Sequence, residues 1–195
     1  MAAGIRLADK GGLDSVSIRR IARELRARPM SLYTHIASKD ELLDLMADEL
    51  VGRVADEPAR EDHWREAVSA SARRLHQAFI EHPWLVAAFR DRRQPGPNTA
   101  RYAQQLLTAA APLDLPPQTA WTLLGILNDY TLGHALRVVT AGHARTLENA
   151  ADATPDLDAL TAVNDRRATA EDFELGLATV LDGINTRFLA PIRRR

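Results

Sequence analysis

Cysteine is absent from the 195 residues, and aromatic residues make up only 5% of them. The lack of cysteine excludes a disulfide framework, a thiolate nucleophile, a zinc ribbon and cysteine-bound iron–sulfur clusters. Long apolar runs are missing as well, since no stretch approaches the roughly 20 apolar residues of a membrane-spanning helix. Residues 1–10 include Arg6, Asp9 and Lys10 and resemble no signal peptide. The sequence therefore predicts a soluble cytoplasmic protein without a membrane anchor.

The net charge of −1 conceals an uneven distribution of charge along the chain. Residues 1–39 hold eight basic and three acidic residues, a net charge of +5, whereas the other 156 residues hold 17 basic and 23 acidic residues, a net charge of −6. Such an asymmetry is typical of a basic N-terminal segment that contacts a polyanion. Arginines that only solvate a small helical surface are the alternative.

The pattern of apolar residues predicts an all-α fold. Ala, Leu, Arg and Glu dominate, and no segment alternates apolar and polar residues for long, so we expect no sheet. Glycine and proline fall between the segments of helical periodicity. Beyond Pro58 we predict helices near residues 61–81, 98–111, 117–144 and 170–189, a short helix after Pro83, and an irregular connection over residues 146–170.

Residues 17–39 contain two short helices joined by a tight turn. Ile18, Ile21, Ala22 and Leu25 give the first helix one apolar face, and Pro29 fits the first turn of the second helix. Leu32 and Ile36 face inward on that second helix. Short polar and aromatic side chains on a brief exposed helix are what major-groove reading by a helix-turn-helix requires, and here they are Arg28, Met30, Ser31, Tyr33 and Thr34.

A capping box follows directly, with Ser38 as the N-cap and Glu41 three residues later. The helix that starts there presents free N–H groups beside Lys39, which favours a phosphate site. Taken alone, the capping box favours a surface helix without a ligand. Its position after the tight turn favours the phosphate site.

Residues 12–46 resemble the DNA-binding domain of the TetR (tetracycline-repressor-like) family. The family signature Leu-Tyr-x-His-Phe-x-Ser-Lys-x-x-Leu matches residues 32–42, with Ile36 in place of Phe. Arg26 stands where the family usually has Gly, so we expect strain or a local difference in the turn. The resemblance implies the following DNA-contacting residues: Ser17, Arg28, Met30, Ser31, Tyr33, Thr34, His35 and Lys39. Tyr33 and Lys39 would contact phosphates, and for His35 a packed or capping role is the alternative.

The rest of the chain resembles the helical regulatory domain of Tet-repressor-type members at residues 82–85, 130–133 and 172–177. The resemblance implies a helix-turn-helix domain over residues 1–50, containing three helices, and a helical ligand-binding and dimerisation domain over residues 51–195. Glycines spaced seven or eight residues apart share a helical face and suggest close helix packing, either within the chain or at a dimer interface. They are Gly125, Gly133, Gly176 and Gly183.

An apolar stripe that contains Asn128 suggests a small-molecule site, because a buried amide needs hydrogen-bond partners. The predicted ligand-binding residues are Trp84, Leu85, Phe89, Tyr102, Trp121, Leu124, Asn128, Thr131 and His134. Asn128 satisfied within the protein or at a dimer interface is the alternative. Tetracycline-metal repressors have a metal-binding histidine after the short central helix, and residues 92–97 hold none. We therefore expect no metal and no cofactor.

These features predict a ligand-responsive transcriptional regulator. We expect a homodimer that represses by binding a palindromic double-stranded DNA operator and is released by a small-molecule effector. Activation instead of repression fits the sequence equally well. The alternatives are a small helical enzyme and a dimerising scaffold, but no catalytic constellation or Gly-rich phosphate loop is visible, so we predict no enzyme activity.

Overall fold

The computed structural model describes residues 1–56, 63–91, 95–144 and 168–189, and every regular element in those ranges is helical. The predicted all-α fold is thereby confirmed. The helices are α1 (Ala2–Gly11), α2 (Ile18–Glu24), α3 (Pro29–Tyr33), α4 (Lys39–Asp56), α5 (Trp64–Glu81), α6 (Trp84–Asp91), α7 (Pro97–Ala110), α8 (Pro117–Ala144) and α9 (Ala170–Ile184). A π-helical turn, Asn185–Leu189, follows α9.

Most helix boundaries agree with the sequence pattern. Helix α8 spans the predicted 117–144, and α7 begins with Pro97 in its first turn, where the missing N–H leaves no hydrogen bond unmade. Helix α5 starts at Trp64 because the His63 ring Nδ1 accepts a hydrogen bond from the N–H of Arg65. The irregular connection predicted over residues 146–170 lies, except for its last three residues, outside the described ranges.

The helix-turn-helix forms where the sequence predicts it. Ser17 caps α2 by accepting a hydrogen bond from the N–H of Arg20, at 3.2 Å, and Ile18, Ile21 and Ala22 are buried. The predicted burial of Leu25 is wrong: α2 ends at Glu24, and the Leu25 side chain at its C-cap is 53% exposed.

The turn between α2 and α3 is strained at Arg26. Its φ angle is 53°, in the left-handed region that costs a non-glycine residue roughly 1–2 kcal/mol. The chain is held there by hydrogen bonds from Arg26 N–H to the Arg23 carbonyl and from Ala27 N–H to the Ala22 carbonyl. The strain expected from an arginine at this position is present.

The chain divides into two compact units, Met1–Asp114 and Leu115–Arg195. In the first unit α4 packs against both α5 and α7, and it buries Leu42, Met46, Leu50 and Val51. The domain boundary predicted at residue 50 falls inside α4, which continues unbroken to Asp56, and that boundary stays a prediction.

In the second unit α8 pairs with α9, and both helices bury apolar residues along the contact. Leu124 and Leu127 are buried on α8, and Phe173, Leu177 and Leu181 are buried on α9. A capping box starts α9, in which Thr169 and Asp172 each accept a backbone N–H from the other. In the described part of the chain no helix combines the length and the apolarity needed to cross a membrane.

Candidate nucleic-acid interface and interior polar sites

Helix α3 presents nearly its whole surface to solvent. It has five residues and buries none of them, and the side chains of Met30 and Tyr33 are 72% and 47% exposed. Pro29 stands at its first position, where a missing N–H leaves no hydrogen bond unmade. Arg28 and Thr34, which flank the helix, are exposed as well. The five side chains predicted to read DNA therefore lie together on one short exposed element.

The hydroxyl groups of Ser31, within α3, and of Thr34, at its C-cap, are oriented by hydrogen bonds to backbone carbonyls. Ser31 Oγ donates to the Arg28 carbonyl at 2.7 Å, and Thr34 Oγ1 donates to the Ser31 carbonyl at 2.8 Å. Because each hydroxyl has one proton and two lone pairs, both oxygens are left to accept hydrogen bonds from outside. Such acceptors suit the amino groups that adenine and cytosine expose in the major groove.

The phosphate site predicted at the start of α4 stays a prediction, and the structure describes the helix cap and the charge there. Ser38 Oγ accepts from the N–H of Glu41 at 3.0 Å, as the capping box predicts. The Glu41 carboxylate reaches the N–H of Ala37, at 2.6 Å, one residue before the expected partner Ser38. Lys39 and His35 are both exposed, and exposure of His35 disfavours the packed alternative. The exposed cation of Lys39 thus lies at the positive end of the α4 dipole.

A buried carboxylate that the sequence analysis did not single out joins α4 to α7. Asp48 is only 4% exposed, and it accepts hydrogen bonds from the N–H groups of Asn98 and Thr99, both at 3.0 Å, and from Thr99 Oγ1 at 2.8 Å. It thereby satisfies N–H groups that the first turn of α7 leaves without helical partners. A β-carbon at Gly96 would overlap the Asp48 carboxylate. An acid within an apolar helix stripe, together with a Gly-Pro helix start, is the sequence signal for this contact.

Two side chains of α7 complete the junction by binding the last turn of α4. Arg101 donates to the Gly52 carbonyl at 3.1 Å and pairs with Asp56 at 2.8 Å, and Gln105 donates to the Ala55 carbonyl at 3.0 Å. These bonds satisfy carbonyl groups that the end of α4 leaves open. Through these bonds α7 is tied to α4, the helix that directly follows the helix-turn-helix.

A second polar contact ties α1 to the start of α6. Asp9 Oδ1 accepts from Trp84 Nε1 and contacts His82 Nδ1, each at 2.7 Å. Seventy-three residues or more separate these partners, so the sequence alone did not suggest the contact. Since the Trp84 indole N–H is engaged here, this predicted ligand residue offers its apolar ring rather than its donor.

The predicted ligand residues of the first unit occupy its interior. Trp84, Leu85 and Tyr102 are buried, and Phe89 is partly buried with its ring edge-on to Phe79 at 5.1 Å. The Tyr102 hydroxyl is buried, and among the described residues it has no hydrogen-bond partner. Burial raises the pKa of Tyr102 well above its ordinary value, and the nearby Arg74 guanidinium opposes that shift only in part. An unpaired buried hydroxyl is a candidate contact for a polar ligand group.

The predicted ligand residues of the second unit, all on α8, lie in less uniform surroundings. Leu124, Thr131 and His134 are buried and Asn128 is partly buried, whereas the Trp121 side chain is 56% exposed. The Thr131 hydroxyl already donates to the Leu127 carbonyl at 2.8 Å. Burial lowers the pKa of His134, so the ring that lies edge-on to Phe173 favours its neutral form.

The four glycines fall into two groups. A β-carbon added at Gly125, Gly133 or Gly183 would meet open space, whereas one at Gly176 would overlap the Tyr130 ring and hydroxyl. Tyr130 stacks on Phe173 at 5.6 Å and donates to the Phe173 carbonyl at 2.9 Å. Packing within the chain therefore accounts for Gly176, and a dimer interface stays a prediction for the other three.

In the described ranges no three His, Asp or Glu side chains cluster closely enough to hold a metal ion. The described residues form an all-helical fold that contains a helix-turn-helix with an exposed second helix, α3. Residues 1–46 match the family of bacterial regulatory proteins called the tetR family, and residues 57–188 match the tetracyclin repressor-like C-terminal domain. The chain belongs to the TetR family, as the resemblance predicted.

Known proteins similar to this chain are themselves regulators or members of this family. The HTH-type transcriptional repressor DrrR1 of Streptomyces coeruleorubidus is 35% identical over 135 residues, which are 68% of this chain and 50% of DrrR1. The chain thus spans about half the length of that relative. A possible TetR family transcriptional regulator from Streptomyces coelicolor A3(2) is 28% identical, with a TM-score of 0.78 over 95% of this chain and 96% of that one. ActR of Streptomyces coelicolor, in complex with (S)-DNPA, is 26% identical, with a TM-score of 0.71 over 96% and 95%.

Proposed function

We propose that this protein is a transcriptional repressor that binds a palindromic DNA operator as a homodimer in the cytoplasm and is released by a small-molecule effector. The observation that carries the proposal is the exposed helix α3, which buries none of its five residues fully and is followed by the exposed Lys39. The similarity to DrrR1, a repressor by name, favours repression over activation. Membership of the TetR family disfavours the alternatives of a helical enzyme and a scaffold.

In this proposal α3 enters the major groove, and its neighbours bind the phosphates on either side. Arg28, Met30, Ser31 and Thr34 face base edges, because they are exposed around a helix that is too short to reach beyond one groove. The phosphate contacts come from Ser17, Tyr33, His35 and Lys39. Base contacts specify the sequence, and phosphate contacts set the register of the helix on the duplex.

The second copy is proposed to cover the exposed apolar side chains of α8 and α9. Four of these side chains are between 44% and 70% exposed, which is unfavourable in water, namely Trp121, Ile126, Leu136 and Leu175. The open space beside Gly125, Gly133 and Gly183 allows another helix to approach closely. A two-fold dimer places its two reading helices about 34 Å apart, one turn of DNA, which accounts for a palindromic operator.

The effector is proposed to bind in the helical core, where Tyr102 has an unpaired hydroxyl among apolar neighbours. Leu85, Phe89 and the ring of Trp84 supply apolar contacts in the first unit. In the second unit, taken by itself, five residues of α8 stay predicted ligand contacts, namely Trp121, Leu124, Asn128, Thr131 and His134. The ActR complex with (S)-DNPA supports an effector site in a protein of similar fold.

Release follows from the junction between α7 and α4. A ligand in contact with Tyr102 on α7 would shift that helix, and the Asp48 cap transmits the shift to α4. Because a dimer binds tightly only when both half-sites are engaged, a small change in the separation of the two α3 helices lowers affinity steeply.

The test begins with purified protein and fragmented genomic DNA. We expect recovery of a palindromic sequence that is bound at least about a thousandfold more tightly than random DNA. In titrations at two salt concentrations, Lys39→Ala should lower the affinity and reduce the slope of log K against log salt by about 0.9 for each subunit, or about 1.8 for the dimer. Tyr33→Ala should also weaken binding while the dimer stays intact in sedimentation.

Lys10→Ala is the matched control, since Lys10 is exposed in the last turn of α1 and has no proposed DNA contact. It should leave specific affinity nearly unchanged. Binding that is weak and indifferent to sequence, or equal losses for Lys39→Ala and Lys10→Ala, would contradict the proposal.

A further inference from the structure

A cleft between α4 and α5 is lined by apolar side chains and two arginines that the proposed function does not use. Its volume is about 250 Å³, and its apolar lining comes from Leu50 and Val54 of α4 and from Ala78 of α5. Arg53 and Arg74 also line it, one from each helix. None of the residues proposed to bind the effector lines this cleft, so it is a separate candidate site.

Arg74 carries a positive charge and has one unsatisfied hydrogen-bond donor, its Nε–H. Its Nη2 donates to Ser71 Oγ at 3.1 Å, but its Nε is buried and finds no hydrogen-bond partner in the part of the chain that the structure describes. Among the described residues no carboxylate forms an ion pair with it. Its charge lowers the pKa of the buried Tyr102, yet the Tyr102 hydroxyl accepts no hydrogen bond from it. A partly buried guanidinium in this state favours an incoming anion.

The other charged groups of the cleft restrict which anion fits. Arg53 pairs with the exposed carboxylate of Glu49 at 3.4 Å, and because both side chains are exposed, Arg53 can turn toward a ligand. Glu81 lines the cleft and accepts from Gln77 Nε2 at 2.9 Å, and His82 contacts Asp9. The carboxylates of Glu81 and Asp9 make binding of a doubly charged anion less favourable than binding of a singly charged one.

The geometry points to a site for a small organic monocarboxylate, and we propose that the cleft binds one. The carboxylate would pair with the guanidinium groups of Arg74 and Arg53, while a short apolar body would lie on Leu50, Val54 and Ala78. Sites for drug-sized ligands measure roughly 300–1,000 Å³, so a cleft of about 250 Å³ suits a smaller molecule, such as one with a single ring.

A ligand bound in the cleft would affect the helices on either side of the helix-turn-helix, α1 and α4. A bound carboxylate would join α4 to α5 next to His82, whose ring contacts Asp9 of α1. It would therefore stabilise one arrangement of α1 and α4 relative to α5. That consequence rests on the proposed DNA-binding function, whereas the binding site itself does not.

The experiment measures binding of benzoate to the full chain by isothermal titration calorimetry at neutral pH, without DNA. Arg74→Gln removes the charge and keeps most of the side-chain volume. We expect it to weaken benzoate binding about tenfold or more, as loss of a charge-assisted hydrogen bond would. Inorganic phosphate, titrated in parallel, should bind more weakly than benzoate.

Arg73→Gln is the matched control, because it removes the same charge from the neighbouring, exposed position on α5. It should change benzoate affinity less than about twofold, as expected for a distant, screened charge. Ala78→Leu is a second variant, which fills the cleft without changing any charge and should abolish binding. If circular dichroism shows that Arg74→Gln does not fold, the Ala78→Leu variant tests the proposal in its place.

Three results would overturn the proposal: no binding of benzoate to the native chain, equal losses for the two arginine variants, or full affinity in Ala78→Leu. Because no DNA is present, each result leaves the proposed repressor function to its own test. Binding of benzoate in the effector site instead would appear as insensitivity to both Arg74→Gln and Ala78→Leu.

Discussion

Single residues with unusual surroundings are concentrated in the first unit. Tyr102 holds a buried hydroxyl without a partner, Arg26 holds a left-handed backbone, and Asp48 holds a buried carboxylate. Tyr102 and Arg26 lower the stability of the fold, because no local interaction among the described residues compensates the desolvation of the Tyr102 hydroxyl or the strained backbone of Arg26. Such residues are typical of positions where binding, rather than folding, determines the side chain.

Tyr102→Phe tests whether this hydroxyl serves folding. Because the hydroxyl has no partner, its removal should leave the free energy of unfolding unchanged or raise it by about 1 kcal/mol. Effector affinity should fall if the hydroxyl is a ligand contact. Urea unfolding followed by circular dichroism measures the first effect. A loss of stability above about 1 kcal/mol would show that the hydroxyl has a structural partner.

The same variant should change the response to alkaline pH. Burial raises the pKa of Tyr102, so the folded chain holds this proton more tightly than the unfolded chain, whose tyrosine titrates near pH 10. The free energy of unfolding is therefore unaffected by this proton below about pH 10, and it falls as pH rises above that value toward the folded pKa. The native chain should therefore lose more stability than Tyr102→Phe between pH 9 and about pH 11. Parallel curves for the two proteins would contradict the expected shift.

At the scale of helices, the junction of α4 with α7 is the most extensively hydrogen-bonded contact described. Asp48 caps the beginning of α7, and Arg101 and Gln105 bind carbonyl groups near the end of α4. Each helix thus supplies polar groups that the terminus of the other lacks. The two helices are expected to move together when the core changes shape.

Asp48→Ala should lower the stability of the α4–α7 junction and weaken the effect of effector on DNA binding. It removes an N-cap and leaves two N–H groups of α7 buried, so we expect a loss of about 2–3 kcal/mol in the free energy of unfolding. Any remaining folded protein should bind operator DNA with a weakened response to effector. Urea unfolding and DNA binding with and without effector measure the two effects.

Glu49→Ala is the control for this prediction. Glu49 is the next residue of α4, and its partner Arg53 is exposed at 3.4 Å, so its removal should cost less than about 0.5 kcal/mol. Equal losses for the two variants would mean that the cap contributes nothing beyond a surface charge.

At the scale of the whole molecule, the sequence predicted the helices better than the contacts between them. Apolar periodicity and proline positions gave the course of α7 and α8, since both act within a few residues. Asp48 with Thr99 and Asp9 with Trp84 bring together residues 51 and 75 positions apart, which no local pattern encodes. The prediction for Leu25 was wrong for a local reason, because α2 ends one residue too early to bury it.

The proposed dimer gives a prediction at this scale. Leu175 on α9 is 70% exposed, and a second copy that covers it would not tolerate a buried charge. Leu175→Glu should therefore convert the dimer to a monomer in analytical ultracentrifugation and weaken operator binding. Leu45→Glu, at an exposed leucine of α4, is the control and should stay dimeric. An unchanged dimer in Leu175→Glu would place the interface elsewhere.

The brevity of α3 has a consequence for the thermodynamics of DNA binding. Five residues with no buried side chain cannot form a stable helix by themselves, so this segment opens at a low free energy and its amide hydrogens exchange quickly with solvent. A bound duplex would hold it closed. Complex formation should then show slower exchange at Ser31 and Tyr33, together with a heat-capacity decrease larger than rigid docking of the same surface would give.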